Sequence, residues 1–469
     1  MKIEQIYTGC LAQGAYYVVS ENEAFIVDPL REIQPYLDRL AKDGVTLKYI
    51  FETHFHADFV SGHLDLAKKT GAKIVYGPTA QPAFDAIIAT DNQIFEIGKV
   101  KVKVLHTPGH TMESSTYLLI DENGKEVAIF SGDTLFLGDV GRPDLAQKAA
   151  SMTQEELAGL LYNSLYQKIL PLADDITVYP AHGAGSACGK NMQKETVDIL
   201  GNQKKTNYAL NQSSKENFVN AVLDGLSAPP KYFGMNVAMN KGGYESFDEV
   251  MKKGNHPLSV EDFETAAEET GALILDTRST AEFSKGYIPN SINIGLKGDF
   301  APWVGAMIVD VQQPILLVCD EDSEEEVITR LSRVGFDQVG GFLKGGFAAW
   351  KNAGKEIDTV NRISPEEFAA RFNENAVVVD VRKPSEFAAE HVNDAYKNGK
   401  VKTIQPPWWQ AVVKLLYTII IVIQQYVFFL LNRGCFVELV PEPAFLSSYL
   451  SHQFGLGAQH LQQLVDVGR

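Results

Sequence analysis

The stretch ETHFHADFVSGH, residues 52–63, places His54, His56, Asp58 and His63 within ten positions. Three later segments add residues of the same kinds. TPGHT carries His110, SGDT carries Asp133, and YPAHGAGSACGK carries His182 and Cys188. Imidazole, carboxylate and thiolate are the side chains that hold transition metals. Two histidines and one carboxylate that leave positions open form the facial triad of non-haem Fe(II) oxygenases. Three or four nitrogens with a bridging carboxylate suit Zn(II) hydrolases as well. The ligand types alone leave both chemistries open. A lone histidine of this sort is more often an ordinary polar loop residue. Four such segments in order along one stretch of chain are hard to explain as chance.

These residues need strands that end where they stand. AYYVVS and EAFIVDP read as short β-branched and aromatic strands. IQPYLDRLAKDG reads as a helix closed by Gly44, and HLDLAKKTGA as a second helix with a glycine stop. LKYIFETH is a buried strand delivering His54, EVAIFSGDTLF delivers Asp133, and DITVYPAHG delivers His182. Sites in layered α/β folds gather at such C-terminal strand ends.

The 469-residue chain is long enough for two to four domains, and 45% apolar with 22% charged residues is a globular balance. A formal net charge of −17 argues against binding nucleic acid through the whole surface. The four cysteines, Cys10, Cys188, Cys319 and Cys435, are widely separated and read as free thiols of a reducing compartment. The start, MKIEQIYTGC, lacks the apolar core of a signal peptide, so the expected location is the cytoplasm.

Glycine and asparagine accumulate over residues 231–246, which reads as a domain boundary. Beyond it LILDTRSTAEFSKGYIPNSI and VVVDVRKPSEFAAEHVNDAY share Asp-x-Arg-x-x-x-Glu-Phe, pairing Asp276 with Asp380, Arg278 with Arg382 and Glu282 with Glu386. Such spacing fits a duplicated domain of about 100 residues. The second copy stops resembling the first after Tyr396. Residues 412–431 are about long enough to span a bilayer, though Lys414, Gln424 and Gln425 count against it. The abrupt change inside a domain favours a disrupted reading over a membrane anchor.

The four histidine and aspartate segments resemble the metallo-β-lactamase fold. In two-zinc hydrolases of that fold the second ion needs a histidine directly after the aspartate; Phe59 stands there, so a mononuclear centre is expected. More closely, ETHFHADFVSGH, TPGHTMESSTY, SGDTLFLGDVGRPDLA and YPAHGAGSACGK resemble bacterial persulfide dioxygenase–rhodanese fusion proteins. The resemblance implies an N-terminal αββα sandwich (residues 1–245), a rhodanese-like α/β domain (256–358), an incomplete second one (362–396) and an atypical hydrophobic segment (397–469). It implies one Fe(II) per chain held by His54, His110 and Asp133, with zinc as the alternative. His56, Asp58 and His182 become residues that orient the ligands or serve as alternative ligands. The implied substrates are a low-molecular-weight persulfide and O₂, and the family expectation is a homo-oligomer. The rival reading is a zinc thioester hydrolase of the glyoxalase II type; a third is a non-catalytic sulfur-binding scaffold.

Two further residues are expected to act. Arg142 is a candidate to face the anionic substrate or product, against a plain pair with Asp144. Cys188, near Lys190, is expected to have a lowered pKa, and the resemblance puts it near the iron, where it carries or accepts sulfur. The first repeat holds Cys319 in CDEDSEEE, whose acidic residues should raise the thiol pKa and repel an anionic donor. It therefore reads as a pseudo-rhodanese. The repeat spacing puts the second copy's cysteine near Ile423, and Cys435 nearby has no glycine or arginine cradle. Sulfurtransferase activity is expected to be impaired.

Overall fold

The computed structural model describes residues 1–226, 228–371, 378–380, 384–392 and 396–397. The first sheet runs in chain order: β1 (Lys2–Thr8), β2 (Gln13–Ser20), β3 (Glu23–Val27), β4 (Thr46–Phe51), β5 (Lys73–Tyr76) and β6 (Ile87–Ile88). The second runs β7 (Ile94–Ile97), β8 (Val100–His106), β9 (Ser115–Ile120), β10 (Glu126–Gly132), β11 (Thr177–Pro180) and β12 (Asp198–Ile199), also as neighbours in that order.

The two-residue period of the strands builds the layers. In β2, Tyr16 and Val18 point inward with Phe25, Val27 and Phe51 against Val102, Val104, Tyr117 and Phe130 of the second sheet. Ala15 and Tyr17 point the other way, onto Tyr36 and Leu40 of α1 (Gln34–Asp43) and Leu66 of α2 (His63–Thr70). In the second sheet Leu118, Ile129 and Val178 face outward onto Leu161 of α3 (Gln154–Ser164) and onto Phe218 and Val222 of α4 (Lys215–Leu223). Strands apolar on both faces are thus buried on both faces, giving an αββα sandwich with three apolar layers. The capping box at Thr153 and Glu156 fixes the start of α3, and the left-handed Gly44 closes α1 as the sequence predicts.

Residues 231–246, read as a domain boundary, carry regular structure. Much of this stretch is a helix, α5 (Phe233–Gly242), with Phe233, Asn236 and Asn240 buried. Its glycines and asparagines lower intrinsic helix propensity, so tertiary packing holds it. The helix α6 (Phe247–Gly254) follows.

A third sheet of parallel strands has the order β13 (Pro257–Leu258), β17 (Val339–Leu343), β16 (Ile315–Val318), β14 (Leu273–Asp276), β15 (Ile292–Asn293). Around it lie α7 (Val260–Thr270), α8 (Phe300–Met307), α9 (Glu324–Arg333) and α10 (Gly346–Asn352). This is a rhodanese-like domain. Asp276 ends β14 and binds the Arg278 guanidinium two residues on, with Nη2 to Oδ2 at 2.6 Å. In a separate unit, Asp380 ends a two-residue strand β18 (Val379–Asp380), which pairs in parallel with β19 (Tyr396–Lys397). Glu386 lies in a short helix, Pro384–Ala389. Arg382, Ile423, Cys435 and the apolar stretch 412–431 lie outside the described residues. Among the described residues no helix is long and apolar enough to cross a membrane.

Candidate metal centre

Four strand ends supply the site. His54 lies three residues beyond β4, His110 between β8 and β9, Asp133 directly after β10, and His182 two residues after β11. Because β10 and β11 are parallel neighbours, Asp133 and His182 emerge side by side.

The Nε2 atoms of His110 and His54 stand 3.4 Å and 3.8 Å from Asp133 Oδ2. Two ligand atoms that share one ion at about 2.0–2.1 Å stand about 2.9–3.4 Å apart. A small inward adjustment therefore closes all three on one metal. All three side chains are buried, and Asp133 Oδ2 has no hydrogen-bond partner among the described residues. An orphaned buried carboxylate oxygen is costly; a cation in front of it removes that cost.

The far ring nitrogens set the tautomers. His110 Nδ1 donates to the Arg142 carbonyl at 2.9 Å. Thr53 Oγ1 donates to Asp28 Oδ2 at 2.8 Å, so it accepts from His54 Nδ1 at 3.0 Å. Both Nε2 atoms are thereby left as bare lone pairs, as metal ligands require. Burial, with His56 adding to it, pushes the His54 pKa well below its ordinary range, so the ring is neutral. Burial would raise Asp133, but the His182 imidazole, kept protonated beside its Oδ1, outweighs it and holds the carboxyl far below the usual range.

His56 faces elsewhere. Its Nε2 is 3.0 Å from Asp28 Oδ1 and 3.6 Å from Glu52 Oε2, off the line of a hydrogen bond to either. Its ring packs between His54 at 4.2 Å and Phe59 at 4.3 Å. Burial, with Asp28 beside it, raises Glu52 well above the carboxylate range, and Ser61 Oγ donates to its Oε1 at 2.6 Å. His63, from the same sequence cluster, is buried against Glu52 and pushed down to about 3 by burial and by His56.

His182 joins two sets of ligand types. Its Nδ1 is 2.9 Å from Asp133 Oδ1 and its Nε2 is 2.8 Å from Asp58 Oδ2. Burial lowers its pKa, but the Asp58 and Asp133 carboxylates overcome this and raise it well above the ordinary value. Asp58, His182 and Cys188 offer atoms within 4.8 Å of one another, as do His54, His110 and Asp133.

Two expectations need correction. The Arg142 guanidinium is committed to Asp144, with Nε and Nη2 each at 2.7 Å from its carboxylate. What Arg142 gives the centre is its backbone carbonyl, which orients His110. The Cys188 thiol sits beside Asp58 and His182, but its pKa is raised, because burial and then the Asp58 and Asp133 charges disfavour the thiolate. Lys190 does not offset this; its Nζ donates to the carbonyls of Ala221 and Asp224 at 2.5 and 2.8 Å.

Sequence reasoning missed the residues that hold the loop. Asp28, at the end of β3 with φ +50°, accepts from both the backbone N–H and the hydroxyl of Thr53. Asn240 of α5 donates from Nδ2 to the carbonyls of His56 and Phe59, both at 2.8 Å, and its Oδ1 accepts from Ser61 N at 2.9 Å. The aspartate after EAFIV was a visible signal; nothing local marks Asn240.

In the rhodanese-like domain Cys319 is buried at the end of β16, and burial, then Glu324 and Asp320, push its thiol up to about 12. The direction agrees with the sequence expectation, with burial ahead of the acidic loop as the cause.

Comparison with known proteins agrees with this architecture. Residues 8–182 match the metallo-beta-lactamase superfamily model, and residues 259–353 the rhodanese-like domain model. A hydroxyacylglutathione hydrolase of Tolumonas auensis is 37% identical over 165 residues, covering 34% of this chain and 57% of that protein. The hydroxyacylglutathione hydrolase of Pelagibacter ubique is 30% identical, over 37% of this chain and 68% of that one. The chain thus spans little more than half the length of the first of these relatives. A crystal structure titled metallo-beta-lactamase, from Staphylococcus aureus, superposes with a TM-score of 0.63 at 31% identity, covering 73% of this chain and 98% of that one.

Proposed function

Because the chain belongs to the metallo-beta-lactamase superfamily and carries a rhodanese-like domain behind that fold, we propose that it is a mononuclear non-haem Fe(II) persulfide dioxygenase. Its substrates are a low-molecular-weight persulfide and O₂, its products sulfite and the thiol. The observation that supports this is the three-member donor set. His56 turns to Asp28 and Glu52, and the ring of Phe59 occupies the place after Asp58 where the two-zinc pattern has an imidazole. Two imidazoles and one carboxylate remain, with open positions for two further reactants.

His54, His110 and Asp133 would hold the ion, which when bound supplies a place for O₂ and a soft sulfur donor to meet. Thr53 and the Arg142 carbonyl keep the two ligand nitrogens aimed. His182 fixes the orientation of Asp133 by binding its other oxygen, and carries a proton between Asp133 and Asp58. Cys188, beside that pair, keeps its proton at rest; once a neighbouring carboxylate takes it, the thiolate accepts the outer sulfur of the persulfide and the carrier thiol leaves. A Cys188→Ser chain with unchanged oxygen uptake and products would defeat the last role.

The names of the curated relatives favour a second reading, a zinc thioester hydrolase, and the adjacent Asp58, His182 and Cys188 would be its further ligands. Metal analysis coupled to two assays separates them. One iron per chain, with oxygen uptake on glutathione or coenzyme A persulfide, supports the dioxygenase. Two zinc ions per chain with thioester hydrolysis and no oxygen uptake overturns it.

A further inference from the structure

The loop carrying His54, His56 and Asp58 has a front, which faces His110 and Asp133, and a back. The back is gripped at consecutive residues. Asn240 binds the His56 and Phe59 carbonyls and the Ser61 amide. The Tyr244 hydroxyl donates to the Ser61 carbonyl. Between these, Val60 N donates at 2.7 Å to the carbonyl of Arg333, the last residue of α9 in the rhodanese-like domain.

Other contacts tie the same domain to the same elements. Arg31 is fully buried, donates from Nη2 to Asp337 Oδ2 at 2.9 Å, and stacks its guanidinium 3.9 Å from the Tyr244 ring centre. Tyr244 thus touches both the Arg31–Asp337 pair and the metal loop. Gly335 has φ +84°, and a Cβ added there would lie 2.7 Å from Asn236 Oδ1 and 2.9 Å from Met239 Sδ, so α5 rests directly on the turn after α9. A Cβ at Gly305 of α8 would lie 2.4 Å from the ring of Tyr232, at the start of α5. The Glu32 carboxylate receives Arg333 Nε at 3.0 Å.

We infer that the rhodanese-like domain is a positioning part of the metal centre: its segment Arg333–Asp337, directly through Val60 and indirectly through α5 and Tyr244, fixes the loop that aims His54. Ligand geometry must be held to about 0.5 Å, and surrounding groups that orient ligands change metal affinity by about 10–100-fold. This gives the domain a task that does not depend on Cys319, whose buried, acid-flanked thiol is poorly suited to sulfur transfer. The inference rests on His54, His110 and Asp133 as the ligand set, and not on which metal or reaction they serve.

The test uses the full chain loaded with Co(II), reading chelator-competition affinity and the ligand-field absorption of the ion. Gly335→Ala pushes a methyl group toward Asn236 and Met239 and strains a left-handed position. It should weaken Co(II) binding about tenfold or more and shift the ligand-field bands, while circular dichroism shows a folded chain. Asp337→Asn, which keeps an acceptor for Arg31, is the milder variant and should give a smaller change in the same direction. It also serves if Gly335→Ala does not fold. Lys351→Ala, on an exposed part of α10, should match the unaltered chain. His110→Ala should abolish tight binding; if it does not, the ligand assignment fails, a separate outcome. Folded Gly335→Ala and Asp337→Asn chains with unaltered affinity and spectrum would overturn the inference.

Discussion

Asp133 and His182 divide one carboxylate between two tasks: Oδ1 meets His182 Nδ1 at 2.9 Å, and Oδ2, with no hydrogen-bond partner among the described residues, faces His54 and His110. The bond on one oxygen sets the direction in which the other points. His182→Ala should therefore lower metal affinity by about 10–100-fold although His182 is not among the three ligands. Metal content after dialysis against a weak chelator measures this, and full retention of metal would count against it.

Phe59→His tests why the chain is read as mononuclear. Asp58 and His182 already stand 2.8 Å apart, with Cys188 beside them. An imidazole in place of the Phe59 ring supplies a further nitrogen. The variant should take up a second equivalent of zinc, read by elemental analysis, and lose oxygen uptake. A variant that still binds one ion would show that the buried Phe59 ring is not what limits the site.

Arg142→Ala distinguishes a substrate contact from a scaffold. The guanidinium pairs with Asp144 in a buried setting, and breaking a buried pair on one side costs about 3–5 kcal/mol. Stability and metal content should fall together, because the Asp144 pair anchors the main chain whose carbonyl at residue 142 orients His110. The KM for persulfide in the metal-loaded fraction should stay within about twofold, since an arginine without substrate contact changes no ground-state binding. A large rise in KM alone would restore the anion-binding role.

Cys319 gives a pH dependence of known sign. Its thiol pKa is raised from 9.0 to about 12 on folding, so the folded state binds the proton more tightly than the unfolded one. That stabilisation is complete below pH 9 and is lost as pH rises from 9 toward 12, by roughly 4 kcal/mol at the limit. Urea unfolding at pH 8 and pH 10.5 should show a steeper alkaline loss for the unaltered chain than for Cys319→Ala. Alkylation of Cys319 at pH 8 should be slow until the chain unfolds.

Much of this was legible because strands announce themselves locally. β2 to β4, α1 and α2 stand where alternation, β-branching and glycine stops put them, and His54, Asp133 and His182 follow strand ends as expected. What escaped was tertiary. A guanidinium two residues from Asp144 chose that carboxylate over the pocket, and Lys190 chose backbone carbonyls over the thiol, choices made by space and not by spacing. Asn240 lies in a stretch whose composition reads as a domain boundary, yet α5 is held by one buried face, Phe233, Asn236 and Asn240. Its long-range bonds to residues 56–61 leave no trace in neighbouring sequence.

The bond from Val60 N to the Arg333 carbonyl joins main chain to main chain. Such a link carries no side-chain identity, so residues 60 and 333 can themselves change while this one bond survives. A change in chain length around either residue, or proline at position 60, removes it. Over evolutionary time the joint should therefore leave its record in the spacing of insertions and deletions, with little paired substitution between the two positions.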